Sequence, residues 1–152
     1  MTKEVMIHIK GLQNLEGMDE WEQPIELLTT GEYYFRNKSH YLLYEEVMEE
    51  NQDPVKNIVK FRPGLMEVKK KGIVEVQMIF EENKKNLAFY KTPFGTMEME
   101  IAATNVSMEE TEDCMDICAE YALGMNGSSV ADCTIEISVT PKGAKKSAAF
   151  FE

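Results

Sequence analysis

The 152-residue chain sets 27 acidic against 16 basic side chains, a net charge of −11, with 43% hydrophobic and 28% charged residues. That balance suits one globular domain with a real core. It also sets nucleic acid aside as a partner, since phosphate binding needs a basic face. No run approaches the roughly 20 apolar residues of a membrane-spanning helix, and no basic-then-apolar leader opens the sequence. With three cysteines read as reduced thiols, the expected location is cytoplasmic, with no membrane partner.

Taken in chain order, Val5, Ile7 and Ile9 alternate with Met6, His8 and Lys10 and predict a strand ending at Gly11. Successive strand side chains point to opposite faces, so a period of two marks a half-buried ribbon. Residues 12–20, with Asn14, Gly17 and Asp19, read as a loop, and Trp21 as a cap over one end of the core. Residues 25–48 then predict two long strands folded back at Arg36-Asn37-Lys38-Ser39. With Asn37-Lys38 at the centre of the turn, Phe35 lies opposite His40, Tyr33 opposite Leu42 and Gly31 opposite Tyr44. Ile25, Leu27, Tyr33, Phe35, Leu42 and Tyr44 share one face, against Glu26, Glu32, Arg36 and Glu45 on the other.

The same register carries on. Val55, Asn57, Val59 and Phe61 form the inner set of the next strand, which Pro63-Gly64 turns. Met66 and Val68 lead to a turn at Lys70-Lys71-Gly72, and Val74, Val76, Met78 and Phe80 to another at Asn83-Lys84-Lys85-Asn86. Strands over residues 87–91 and 96–103 flank Thr92-Pro93-Phe94-Gly95, with Lys91 opposite Thr96 and Tyr90 opposite Met97.

Residues 107–123 are contested. Ser107-Met108-Glu109-Glu110 fits a helix capping box, which leaves a helix open on pattern alone. Alternation of Met115, Ile117, Ala119, Tyr121 and Leu123 favours a strand from about Asp113, with an acidic loop before it. Asn126-Gly127-Ser128 turns into a last strand with Ala131, Cys133, Ile135, Ile137 and Val139 inside. Pro141 ends it, giving a domain over residues 1–141 and a loose tail over 142–152. Long sequential hairpins with one apolar face predict an all-β fold, a single up-and-down antiparallel barrel of about eight to ten strands. Closing such a sheet removes the edges that would otherwise aggregate.

Thr30-Gly31-Glu32-Tyr33-Tyr34, Tyr44-Glu45-Glu46, Val59-Lys60 and Tyr90-Lys91-Thr92-Pro93-Phe94-Gly95 occur in that order. In this the chain resembles the YwiB-like bacterial proteins, a family of unknown function, over about residues 5–141. The resemblance implies a calycin-like, lipocalin-like barrel and favours the strand reading of residues 113–123. It supplies no catalytic or binding residues to carry over.

The inward register singles out Tyr33, His40, Tyr44, Asn57, Tyr90 and Tyr121, polar or amphipathic groups on an otherwise apolar wall. A few converging hydrogen-bonding groups are what an apolar cavity needs to orient a small apolar or amphipathic ligand. The competing reading is a barrel filled by side chains, with tyrosine tips in water and a protein partner on the surface. Met48, Met66, Met78, Met97, Met99 and Met115 fall inside and suit either reading.

No cofactor or metal is expected. His8 and His40 lie on opposite faces, and Cys114 and Cys118 stand about 13 Å apart on a strand. His40, Tyr44 and Glu46, on one strand face, are the nearest approach to an acid–base set. No nucleophile motif accompanies them, so the expectation is a non-catalytic protein.

Overall fold

The computed structural model describes residues 3–15, 25–47 and 53–142. Alternating side chains produce ten strands in them: β1 (Glu4–Leu15), β2 (Ile25–Arg36), β3 (Ser39–Glu46), β4 (Val55–Arg62) and β5 (Leu65–Lys71), followed by β6 (Val76–Glu81), β7 (Lys84–Thr92), β8 (Gly95–Glu110), β9 (Met115–Met125) and β10 (Ser128–Pro141). They form one antiparallel sheet in the order β6-β5-β4-β3-β2-β1-β10-β9-β8-β7. Every neighbour is sequential except β1 and β10, which zip the two ends of the chain together from Val5↔Pro141 to Leu15↔Ala131. The sheet curls into a nearly closed, up-and-down barrel, as the strand pattern predicts.

The turns follow local chemistry. Asn37 (φ 53°) and Lys38 (φ 64°) both take positive φ in the β2–β3 hairpin, and Phe35↔His40 and Tyr33↔Leu42 pair as the sequence implies. Two positive-φ central residues match the right-handed twist of the strands they join. Asn126 (φ 50°) and Gly127 (φ 86°) do the same between β9 and β10, and Gly64 (φ 83°) turns β4 into β5. Gly31 serves a different need. A Cβ there would meet Leu43 O at 2.5 Å and Ile7 Cδ1 at 2.7 Å, so only glycine lets β2 cross this closely.

Several boundaries differ from the sequence reading. β1 does not stop at Gly11 but continues to Leu15, because β10 offers partners as far as Ala131. Lys84, Lys85 and Asn86 belong to β7 rather than to a turn, since they pair with Ala103, Ala102 and Ile101. Lys70 and Lys71 likewise extend β5 against β4 and β6. Neither helix nor acidic loop forms over Ser107–Glu110, which pair with β9 through Ser107↔Cys118 and Glu110↔Met115. The strand after them starts at Met115, near the expected Asp113. Trp21 and Met48 lie outside the described residues.

Inward residues of every strand form one continuous apolar cluster. Phe61, Phe80, Ile7, Leu42, Met66, Ile101, Met115 and Ile117 are almost wholly buried in it. Ile25 and Phe35, though on the inner parity, are exposed because they stand at the ends of β2.

The wall is interrupted at one seam. β6 and β7 are consecutive, joined by Glu82 and Asn83, yet form no ladder. They run close beside each other, and the one main-chain bridge between them among the described residues is at the far end, where Glu75 and Lys91 exchange both main-chain hydrogen bonds (3.0 and 2.8 Å).

Candidate functional site

The strand register distributes the six inward polar residues over four places. Beside the Asn37-Lys38 turn, the Tyr33 hydroxyl lies 2.7 Å from His40 Nδ1. The His40 ring stacks on Phe61, with centroids 5.0 Å apart, and is covered by Phe35. Burial removes water from the imidazole and pushes its pKa below the ordinary 6.5, with the Glu110 charge acting weakly the other way. The same burial, helped by Glu110, raises the Tyr33 phenol. This is a neutral, packed pair.

Tyr44 and Asn57 face each other across β3 and β4 near the opposite end. Here the sequence reading missed the key group. Lys70 sits on the inner parity with Met66 and Val68, and its Nζ donates to Asn57 Oδ1 (2.7 Å) and Glu46 Oε1 (3.0 Å). Asn57 Nδ2 donates to the Val55 carbonyl (3.2 Å) and weakly to Glu46 (3.5 Å). Lys70 was hidden because Lys70-Lys71-Gly72 looks like a solvated turn. The signal was its even spacing from Met66 and Val68. Tyr44, buried beside this cluster, has its phenol pushed well above its ordinary pKa by loss of water and then by the Glu46 charge.

Tyr121 lies on the far wall, edge-on to Phe80 (centroids 4.8 Å) and opposite Cys133 on β10. Its burial raises the phenol strongly, and burial raises the Cys133 thiol. Tyr90, on β7, packs against the core without entering either polar pair. The structure therefore brings together Tyr33 with His40 and Tyr44 with Asn57. It does not bring all six together. His40 and Glu46 belong to different clusters, so no acid–base set assembles around Tyr44.

A groove lies on the outside, over the β6–β7 seam. It has a volume of about 770 Å³ and is floored by Ile58, Ile79, Leu87 and Phe89. Val76 and Ala88, inward on their strands, also line it. Lys56, Lys69, Lys71 and Lys91 surround it, and Glu75 is the one carboxylate among its lining residues. In a chain of net charge −11 this is a local reversal of sign. A second cleft of about 450 Å³ opens where β2 parts from β3 and touches Gly31, Tyr44 and Asn57.

Residues 7–137 match the model of a family described as a domain of unknown function, DUF1934. The chain belongs to this family. It is 30% identical over 117 residues to the uncharacterized β-barrel protein YwiB of Bacillus subtilis (strain 168), covering 77% of this chain and 79% of that one. It is also similar to the crystal structure of the Bacillus subtilis ywiB protein, with a TM-score of 0.70 at 27% identity over 89% of this chain and 90% of that one. The resemblance drawn from the Thr-Pro-Phe-Gly hairpin and its neighbours thus holds.

What this arrangement can do follows from where polar groups are satisfied. Inside, Lys70, Glu46 and Asn57 hydrogen-bond one another, as do Tyr33 and His40. Outside, the groove holds cationic side chains beside apolar ones. Asn86 is the exception on the inner side, its Nδ2 buried with no hydrogen-bond partner.

Proposed function

We propose that this protein is a non-catalytic binding module of the cytoplasm whose barrel is filled by its own side chains and whose outer groove receives the partner. The observation that carries this reading is the pairing of Lys70 with Glu46 and Asn57, and of Tyr33 with His40, on the inner side. Groups already paired would have to be separated before they could orient a ligand, at the cost of leaving buried charge or amide unpaired. The groove asks for no such separation. Its apolar residues, with Leu87 58% and Phe89 53% exposed, are ready to be covered.

Native mass spectrometry of the protein purified without denaturation from its own cells tests this. The reading predicts a stoichiometric protein partner that dissociates in high salt. A retained small molecule, released only on unfolding, would overturn it.

A second reading keeps two observations. A small apolar or amphipathic ligand inside the barrel is favoured by the cleft that reaches Tyr44 and Asn57, and by the unpartnered Asn86 Nδ2. The calycin-like kinship implied by the sequence resemblance points the same way. The same spectra separate the two.

A further inference from the structure

The outer face of β4 to β7 carries charge that the fold leaves unmatched. Lys56 stands directly opposite Lys71 in the ladder, and Ile58 opposite Lys69. On the same face, Lys69 continues to Gln77 on β6, and Glu75 meets Lys91 on β7. Lys56, Lys69 and Lys71 therefore form an exposed triangle on β4 and β5, with Lys91 across the groove. Like charges directly opposite each other weaken a strand pair. Lys3, Lys70, Lys84 and Lys85 each meet a carboxylate, but among the described residues none of the four groove lysines is ion-paired. That is unexpected in a chain with 27 acidic side chains and 16 basic ones.

From this we infer that the groove receives an acidic amphipathic helix of a partner protein, held by side-chain contacts alone. This deepens the binding-module reading and rests on it. Three features select that occupant. The lysines call for carboxylates, while a second copy of this chain, at net charge −11, is repelled over most of its surface. Ile58, Ile79, Leu87 and Phe89 share the outer parity with the lysines, so the occupant must present apolar and acidic groups on one side. A helix does this through positions i, i+3, i+4 and i+7, whereas an extended segment turns alternate side chains away. Ile58 on β4 and Phe89 on β7 are three strand spacings apart, about 14 Å along the sheet, which spans a helix about 10–12 Å across. The register also sets which flank is acidic. Glu98 and Glu100 of β8 stand beyond Phe89 and Leu87, so the carboxylates of the occupant belong over β4 and β5.

The test uses a fluorescent helical peptide of about 18 residues, with leucines on one face and glutamates along its flank. It is titrated into the full-length protein and read by anisotropy and by amide chemical shifts. Expected is saturable binding, at least tenfold tighter than for the peptide with lysine in place of glutamate. A peptide of the same composition with its leucines scattered around the helix should also bind at least tenfold more weakly. The shifts should centre on Ile58, Lys69, Lys71, Leu87 and Phe89. Lys56→Glu with Lys71→Glu, both at exposed positions, should weaken binding tenfold or more and improve that of the lysine peptide. No saturable binding, or equal binding of the scattered peptide, would overturn the helix. Equal binding of the lysine peptide would overturn the acidic preference. Decanoate binding more tightly than the peptide at the same residues would replace the helix by a small anionic amphiphile. Dimers in sedimentation that the double variant abolishes would make the occupant a second copy of this chain. Shifts confined to Tyr44, Asn57 and Tyr121 would overturn the binding-module reading as well.

Discussion

The barrel has two junctions that the chain closes in opposite ways. β1 and β10 lie at opposite ends of the sequence, yet they are zipped along their whole length from Val5↔Pro141 to Leu15↔Ala131. β6 and β7 are joined by two residues and make a single bridge. Proximity in sequence therefore does not decide which edges pair. What decides it is where the inward side chains go. Ile7, Ile9, Ile137 and Val139 all belong to the core cluster, so pairing β1 with β10 buries apolar surface on both strands at once. β7 sends only Ala88 fully inward, while its neighbours Leu87 and Phe89 stay exposed. A small residue on the inner side draws the strand in weakly, and the seam stays without a ladder.

The largest expected effect is on the closed side. Gly31→Val places a Cβ 2.5 Å from Leu43 O and 2.7 Å from Ile7 Cδ1, against main chain and packed core that cannot yield. A loss of about 3 kcal/mol or more, or failure to fold, should appear in urea denaturation. Next, Ile117→Ala, at a position 2% exposed between β8 and β10, should cost about 3 kcal/mol, whereas Leu87→Ala at the seam should cost less than about 1 kcal/mol. Equal costs would erase the contrast between the two junctions. Lys70→Met should cost about 1–2 kcal/mol, because Glu46 and Asn57 lose the donor they share in a partly buried site.

The smallest effect concerns pH. His40 has its pKa lowered by burial, so the unfolded chain binds the proton more readily than the folded one. Its contribution is fully present above the ordinary value of 6.5 and is lost as pH falls below that towards the lowered folded value. His40→Gln should remove this part of the slope. Thermal melts of both proteins at about pH 5 and about pH 8 check it.

Much of this architecture was legible because strand chemistry is local. The alternation of Val55, Asn57, Val59 and Phe61 and the turn at Asn37-Lys38 predict both faces and the register of their hairpins. Strand ends were not legible, because they depend on a partner far away in sequence. β1 reaches Leu15 only because Ala131 is there to meet it. The inward tyrosines, His40 and Asn57 were found by parity, but what they touch was not. Asn57 meets Lys70, a residue whose neighbours Lys69, Lys71 and Gly72 disguise it as part of a turn. The seam itself was invisible. No pattern in residues 76–92 distinguishes two strands that pair from two that face each other unmatched.

The most direct test is native-state amide hydrogen exchange on the free protein, read residue by residue. Because the amides of Gln77, Ile79, Leu87 and Phe89 face an unmatched seam, they should exchange orders of magnitude faster than those of Ile7, Ile9 and Ile137 in the β1–β10 region. Equal protection on the two sides would mean that the barrel closes evenly, and the unmatched seam would be wrong.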